Sequence, residues 1–184
     1  ATDAQDKRYR NSAVEKIEDA EVLYDLVFKA KDKSIRRACV LKKSFVSEDI
    51  LQKVAIEDND EAVKMEAVKK IKNESNLANI ARTEDNAKIR TLIFEKIENV
   101  DILQDIALNS NKADVRLDLV NKLDDEDLLK QIALNDSDKI VRSEAVKKIS
   151  DEKVLLDVIN NDEDRFVRQI AVKNITDPQD LIKI

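Results

Sequence analysis

The side chains of this chain with chemistry to offer are cations. Between residues 33 and 43 stand Lys33, Arg36, Arg37, Lys42 and Lys43, with no acid among them. Guanidinium and ammonium groups crowded in this way attract a carboxylate or phosphate from within a Debye length of about 8 Å. That chemistry is binding, and little else is on offer. The chain has no histidine, which removes Ser-His-Asp and Cys-His nucleophiles, imidazole bases and histidine metal sites. It has no glycine either, so no Gly-rich loop cradles a phosphate. The acidic stretches Glu57-Asp58-Asn59-Asp60-Glu61 and Asp124-Asp125-Glu126-Asp127 lack the glycine and spacing of a calcium loop. Cys39 is the single cysteine and reads as a small buried hydrophobe. No cofactor, metal or enzyme activity is expected, and the lone thiol suits a reducing, cytoplasmic setting.

The elements that would carry these cations repeat. An apolar residue followed by a basic one recurs at Tyr9-Arg10, Ile35-Arg36, Val63-Lys64, Ile89-Arg90, Val115-Arg116, Val141-Arg142 and Val167-Arg168, in steps of 26, 28, 26, 26, 26 and 26. Four residues on come Ala13, Cys39, Ala67, Ile93, Leu119, Ala145 and Ala171, then Val14, Val40, Val68, Phe94, Val120, Val146 and Val172. Apolar residues at these offsets share one face of a helix, here called the basic helix. A second apolar group, as in Leu77, Ile80 and Ala81 or Leu129, Ile132 and Ala133, predicts a shorter helix of about ten residues. Each copy can bury its apolar face only against the next, which predicts an all-α solenoid of about seven repeats of 26 residues, one repeat domain over 1–184. The chain opens and closes in mid-helix, so a piece of a longer array is expected. No hydrophobic run is long enough to cross a bilayer.

Punctuation is equally regular. Asp19, Ser47, Asn73, Asn99, Asp125, Asp151 and Asp177, before Pro178, precede the shorter helices; Asp6, Asp32, Asp60, Asn86, Lys112, Asp138 and Asp164 precede the basic ones. All but Lys112 can accept from the free N–H groups of a first helical turn. Ser110 or Asn111 is expected to cap in its place, at the least well formed junction. The two extra residues between Val40 and Phe45 are expected to unwind or bulge the second basic helix. Tyr24, Phe28, Phe45 and Phe94 read as core or near-core, and Tyr9 and Phe166 as helix starts.

Charge follows the elements. The seven basic helices hold 24 Lys and Arg against 7 Asp and Glu, and the remainder holds 9 against 32, within a net charge of −6. One account is structural: acids at N-caps and lysines such as Lys16, Lys70, Lys96, Lys122 and Lys148 near helix ends complement helix dipoles. The other is functional: a positive track facing an anionic partner.

The stretches IALNDSDKIVRSEAVKKI, 132 to 149, and VINNDEDRFVRQIAVKNI, 158 to 175, resemble HEAT-like repeats. The resemblance is to the short bacterial and archaeal class that includes relatives of phycobilin lyases, and the pattern is similar to variant leucine-rich repeats. In the latter a cysteine group holds an iron–sulfur cluster; Cys39 stands alone, so the cluster is not carried over. The resemblance implies a right-handed α-solenoid with basic helices on the concave side, and a ladder between each turn acid and the arginine six residues later. Asp58, Glu84, Asp136 and Asp162 stand at the acid position, whereas Ala4, Ala30 and Ser110 stand there before Arg10, Arg36 and Arg116. Those three arginines are therefore expected to lack their partner. Arg10 and Arg116 thus join Lys33, Arg36, Arg37, Lys42 and Lys43 as the candidate partner-binding residues.

The function expected is a protein–protein interaction scaffold that presents a concave, basic surface to a protein or peptide of acidic character. The alternative is a nucleic-acid backbone binder, similar to HEAT-like DNA-repair glycosylases in architecture only, against which stand the acidic balance and the lack of an aromatic ladder for stacking bases. A lyase-type subunit is the remote third, with no recognisable active site to support it.

Overall fold

The computed structural model describes the backbone of residues 3–44 and 47–176, with side chains from residue 8 onward. Among the described residues are thirteen α-helices and no strand. The basic helices are α1 (Asp3–Glu15), α3 (Lys33–Leu41), α5 (Glu61–Lys70), α7 (Ala87–Lys96), α9 (Ala113–Lys122), α11 (Lys139–Lys148) and α13 (Arg165–Asn174). Between them lie the companion helices α2 (Ala20–Lys29), α4 (Glu48–Glu57), α6 (Glu74–Thr83), α8 (Val100–Asn109), α10 (Glu126–Asn135) and α12 (Glu152–Asn161). The companions run ten residues, as expected, but so does every basic helix from α5 on. The chain divides into two compact units, Ala1–Asn99 and Val100–Ile184.

Within each unit a basic helix packs on the companion before it and on its basic neighbours: α5 on α4, α3 and α7 in the first unit, α11 on α10, α9 and α13 in the second. The packed hairpin is therefore companion, Asp/Asn turn, basic helix. Its apolar stripe is buried as the spacing requires. Val63, Ala67, Val68 and Ile71 have no exposed surface, and Val141, Ala145 and Val146 match them. Burial of a Val or Leu side chain contributes about 1.5–3 kcal/mol. The first copy departs from the pattern, with Tyr9 65% exposed. Of the other aromatics, Phe94 is buried, Phe28 half-buried and Phe166 exposed, while Tyr24 is exposed and tilts against Phe28 at 4.9 Å. Phe45 lies outside the described residues.

Caps form where the residue types demand them. Asp19, Asp32, Asp60, Asn73, Asn86, Asp125, Asp138, Asp151 and Asp164 each accept from first-turn N–H groups. Ser47 has the cap backbone without the side-chain bond. Asp177 and Pro178 lie outside the described residues. Three expectations fail. Asp6 lies inside α1, which already begins at Asp3. At Lys112 neither Ser110 nor Asn111 takes over the cap. The backbone there is as extended as at other caps, Arg116 N closes the turn on Lys112 O, and α9 forms its full ten residues. The extra residues after Val40 do not bulge α3. It ends at Leu41, one residue short of the ten-residue basic helices from α5 on.

The seams between hairpins carry a polar ladder whose direction differs from the expected one. Arg142 donates from Nε and Nη2 to Asp162, in the following turn, at 2.8 and 3.1 Å. From the turn before it, Arg142 takes only a carbonyl, Nη1 to Asp136 O at 2.9 Å. That carbonyl belongs to the C-cap of α10, where the helix dipole is negative. Arg116 does the same with Asp136 and Ser110 O, and Arg36 with Asp58 and Ala30 O. Lys64 reaches Glu84 at 2.9 Å. The turn acid also holds its own turn, as when Asp58 and Asp162 accept from Asp60 N and Asp164 N. Arg10, Arg36 and Arg116 thus have carboxylate partners after all, Arg10 on Asp32 at 3.1 Å. The carboxylate comes from the following turn, not from six residues upstream.

A second ladder uses a lysine near the end of several basic helices. Lys42 donates to Val14 O and Glu15 O, Lys70 to Val40 O and Lys42 O, and Lys148 to Val120 O, Asn121 O and Leu123 O. In α13 Asn174 takes the lysine's place and reaches Val146 O. These lysines complement the C-terminal dipole of the preceding basic helix rather than their own. No helix among the described residues is long and apolar enough to cross a membrane.

Candidate functional site

The ladders sort the seven candidate cations. Arg36 is spent: Nε and Nη2 meet Asp58, Nη2 also meets Asn59, and Nη1 meets Ala30 O and Lys31 O. Those bonds use all five donors of a guanidinium. Asp58 foremost raises the Arg36 guanidinium above its ordinary value, against the opposing effect of burial. Arg116, 6% exposed, is held the same way by Asp136, and Lys42, 6% exposed, caps α1. Arg10 lies half-buried on Asp32. All four are tied into the fold by these bonds.

Lys33 and Arg37 reach the surface together. They line a pocket of about 260 Å³ on the first unit, with Asn11 of α1, Ser34, Ala38 and Leu41 of α3, and Asp60 and Ala62 at the start of α5. Helical spacing explains the company. Residues 34, 37, 38 and 41 follow the three-then-four rhythm of one helix face, on which Arg37 and Leu41 reach solvent and Ala38 is buried. Lys43 stands exposed just past α3, with no partner among the described residues.

The ion pairs on this face have a consistent sense. Lys33 meets Asp60 at 2.9 Å with side chains 71% and 17% exposed. Arg37 meets Glu66 at 2.6 Å, with 40% and 13% exposed. Lys69, half exposed, lies 3.5 Å from the same Glu66 oxygen. In every pair the carboxylate is the buried member and the cation the outer one. Both acids titrate below their ordinary values, Asp60 chiefly through the Lys33 bond and Glu66 chiefly through the Arg37 bond, so both stay charged. A molecule arriving from solvent meets ammonium and guanidinium groups around a floor of Ala38, Ala62 and half-exposed Leu41.

Lys69, Glu66 and Leu41 do not stand out in the sequence by charge density, only by the offsets they occupy. The signal was available: outward positions are those the apolar stripe skips. They differ in kind from copy to copy, Arg37, Met65, Thr91, Leu117 and Gln169 at one offset, with buried Ser143 the exception, while the seam positions recur. Cys39, fully buried with its thiol pushed up to about 11 by burial, belongs to the core. Among the described residues no cluster of His, Cys, Asp and Glu could hold a metal ion.

The chain shows no match to a known protein family, to a functionally characterised protein or to a solved structure.

Proposed function

We propose that the chain is a HEAT-like α-solenoid, right-handed, that acts as a protein-interaction scaffold rather than an enzyme, and that the α3–α5 face takes an acidic segment of a protein or peptide. One observation carries this reading: on that face the cation is the exposed member of every ion pair. Repetition supports the scaffold part, since recurring ladders stiffen each seam while the outward positions are left to vary. Of the seven candidate cations, Lys33, Arg37 and Lys43 carry the binding, and Lys69 joins them.

Titration of the chain with a labelled acidic peptide and with labelled single-stranded DNA, each at two salt concentrations, tests the proposal. Peptide binding that weakens moderately with salt, and disappears in a Lys33→Glu/Arg37→Glu variant, supports it. DNA binding that is tighter and falls steeply with salt shows a backbone binder instead. No binding of either probe at low salt removes the site.

A further inference from the structure

Arg37 and Lys69 share one carboxylate. Glu66 Oε1 accepts from Arg37 Nη2 at 2.6 Å and lies 3.5 Å from Lys69 Nζ. Two cations about one anion leave the cluster with a positive charge. On α11 the corresponding acid and lysine, Glu144 and Lys147, balance each other, because α9 presents Leu117 where α3 presents Arg37. The excess at α5 is thus specific to one seam and not a property of the repeat. Arg37 also has capacity to spare, since its bond to Glu66 uses one of five donors. Its Nε is shielded from water and meets no acceptor. Arg36 beside it has none left.

We infer that the cluster is an anion seat with Glu66 as its resident occupant, and that it receives a carboxylate side chain from an acidic peptide. This rests on the reading of the α3–α5 face as a docking surface. The incoming carboxylate binds the outer donors of Arg37 and Lys69, and an aliphatic neighbour in the peptide settles on Ala38, Ala62 and Leu41. Glu66 sets the threshold. It neutralises half of the seat, so a stray anion gains little, whereas a segment with several carboxylates and an aliphatic residue gains from every contact at once. The partner class is therefore a peptide that interleaves acidic and aliphatic residues.

The test titrates the intact chain with a fluorescein-labelled peptide alternating glutamate and leucine pairs. The variants Glu66→Gln, Glu66→Ala and, as a control off the seat, Glu144→Gln are titrated in parallel. Removal of the resident charge tightens binding by roughly three- to tenfold, the span of a partly exposed charge interaction. Both Glu66 variants share the gain, and Glu144→Gln stays within about twofold of the parent. Binding by the parent that is unchanged or weakened in both Glu66 variants overturns the seat and leaves the docking face standing. Absence of binding in the parent and both Glu66 variants overturns both. Equal tightening by Glu144→Gln shows a general charge effect and also overturns the seat.

Discussion

Arg116 donates from Nε and Nη2 to the two oxygens of Asp136 in the following turn, both at 2.7 Å, and sends Nη1 back to Ser110 O at 2.7 Å. One side chain thus ties the turn before it to the turn after it, and does so from a site where both side chains are under a tenth exposed. Asp136→Ala removes the carboxylate, orphans the N–H of Asp138 and strands a buried guanidinium. The expected cost is about 3 kcal/mol, read from urea unfolding. Lys33→Ala, which breaks an exposed pair, is expected to cost about 0–1 kcal/mol. Equal effects would show that the ladder does not hold the seam.

The helices, their caps and their buried stripe were legible in the sequence, because spacing of 3.6 and side-chain caps are local rules and Val63, Ala67, Val68 and Ile71 obey them without exception. The direction of the arginine ladder was not. In a 26-residue repeat, six residues back and twenty residues on are the same place in the pattern, so Arg142 could not be assigned to Asp136 or Asp162 by periodicity. Only the packing of one hairpin on the next decides it, and it gives the carbonyl to one side and the carboxylate to the other. The site suffered from the same ambiguity: Arg36 and Arg37 are adjacent in sequence, and one is locked in the seam while the other faces water.

That adjacency yields a sharp contrast. Arg37→Glu is expected to abolish binding of an acidic peptide and to lower stability only modestly, by about 1 kcal/mol, since it breaks a half-exposed pair with Glu66. Arg36→Glu sets a second carboxylate against buried Asp58 and is expected to destabilise the first unit by several kcal/mol, about 3–5. Circular dichroism melts and peptide titration of both variants separate the roles. Unfolding by Arg37→Glu, or a stable Arg36→Glu, would reverse the assignment.

Acid should loosen the first unit through the surface pairs. Glu66 and Asp60 titrate below their ordinary values of 4.5 and 3.8 in the folded chain. A carboxyl group with a lowered folded pKa adds stability that is complete above its unfolded value and fades as pH falls through the folded one. Urea midpoints are therefore expected to hold steady from neutrality down to about pH 5 and to fall below the ordinary carboxylate range. Glu66→Gln should flatten part of that fall. A midpoint that rises on acidification, or an unaltered fall in the variant, would contradict the assignment of these pairs.

Cys39 reports on the same unit from the inside. The thiol has no exposed surface, and burial pushes it up to about 11, so at neutral pH it is both hidden and protonated. A disulfide reagent should therefore label it only through opening of the α1–α3–α5 seam, at a rate far below that of a free thiol. Arg36→Met and Lys42→Met, which cut the two ladders beside it, are expected to speed labelling in proportion to the stability each removes. Arg37→Glu, at the surface of the same helix, should speed it less than either. Fast labelling of the unaltered chain would mean that the seam is not closed at all.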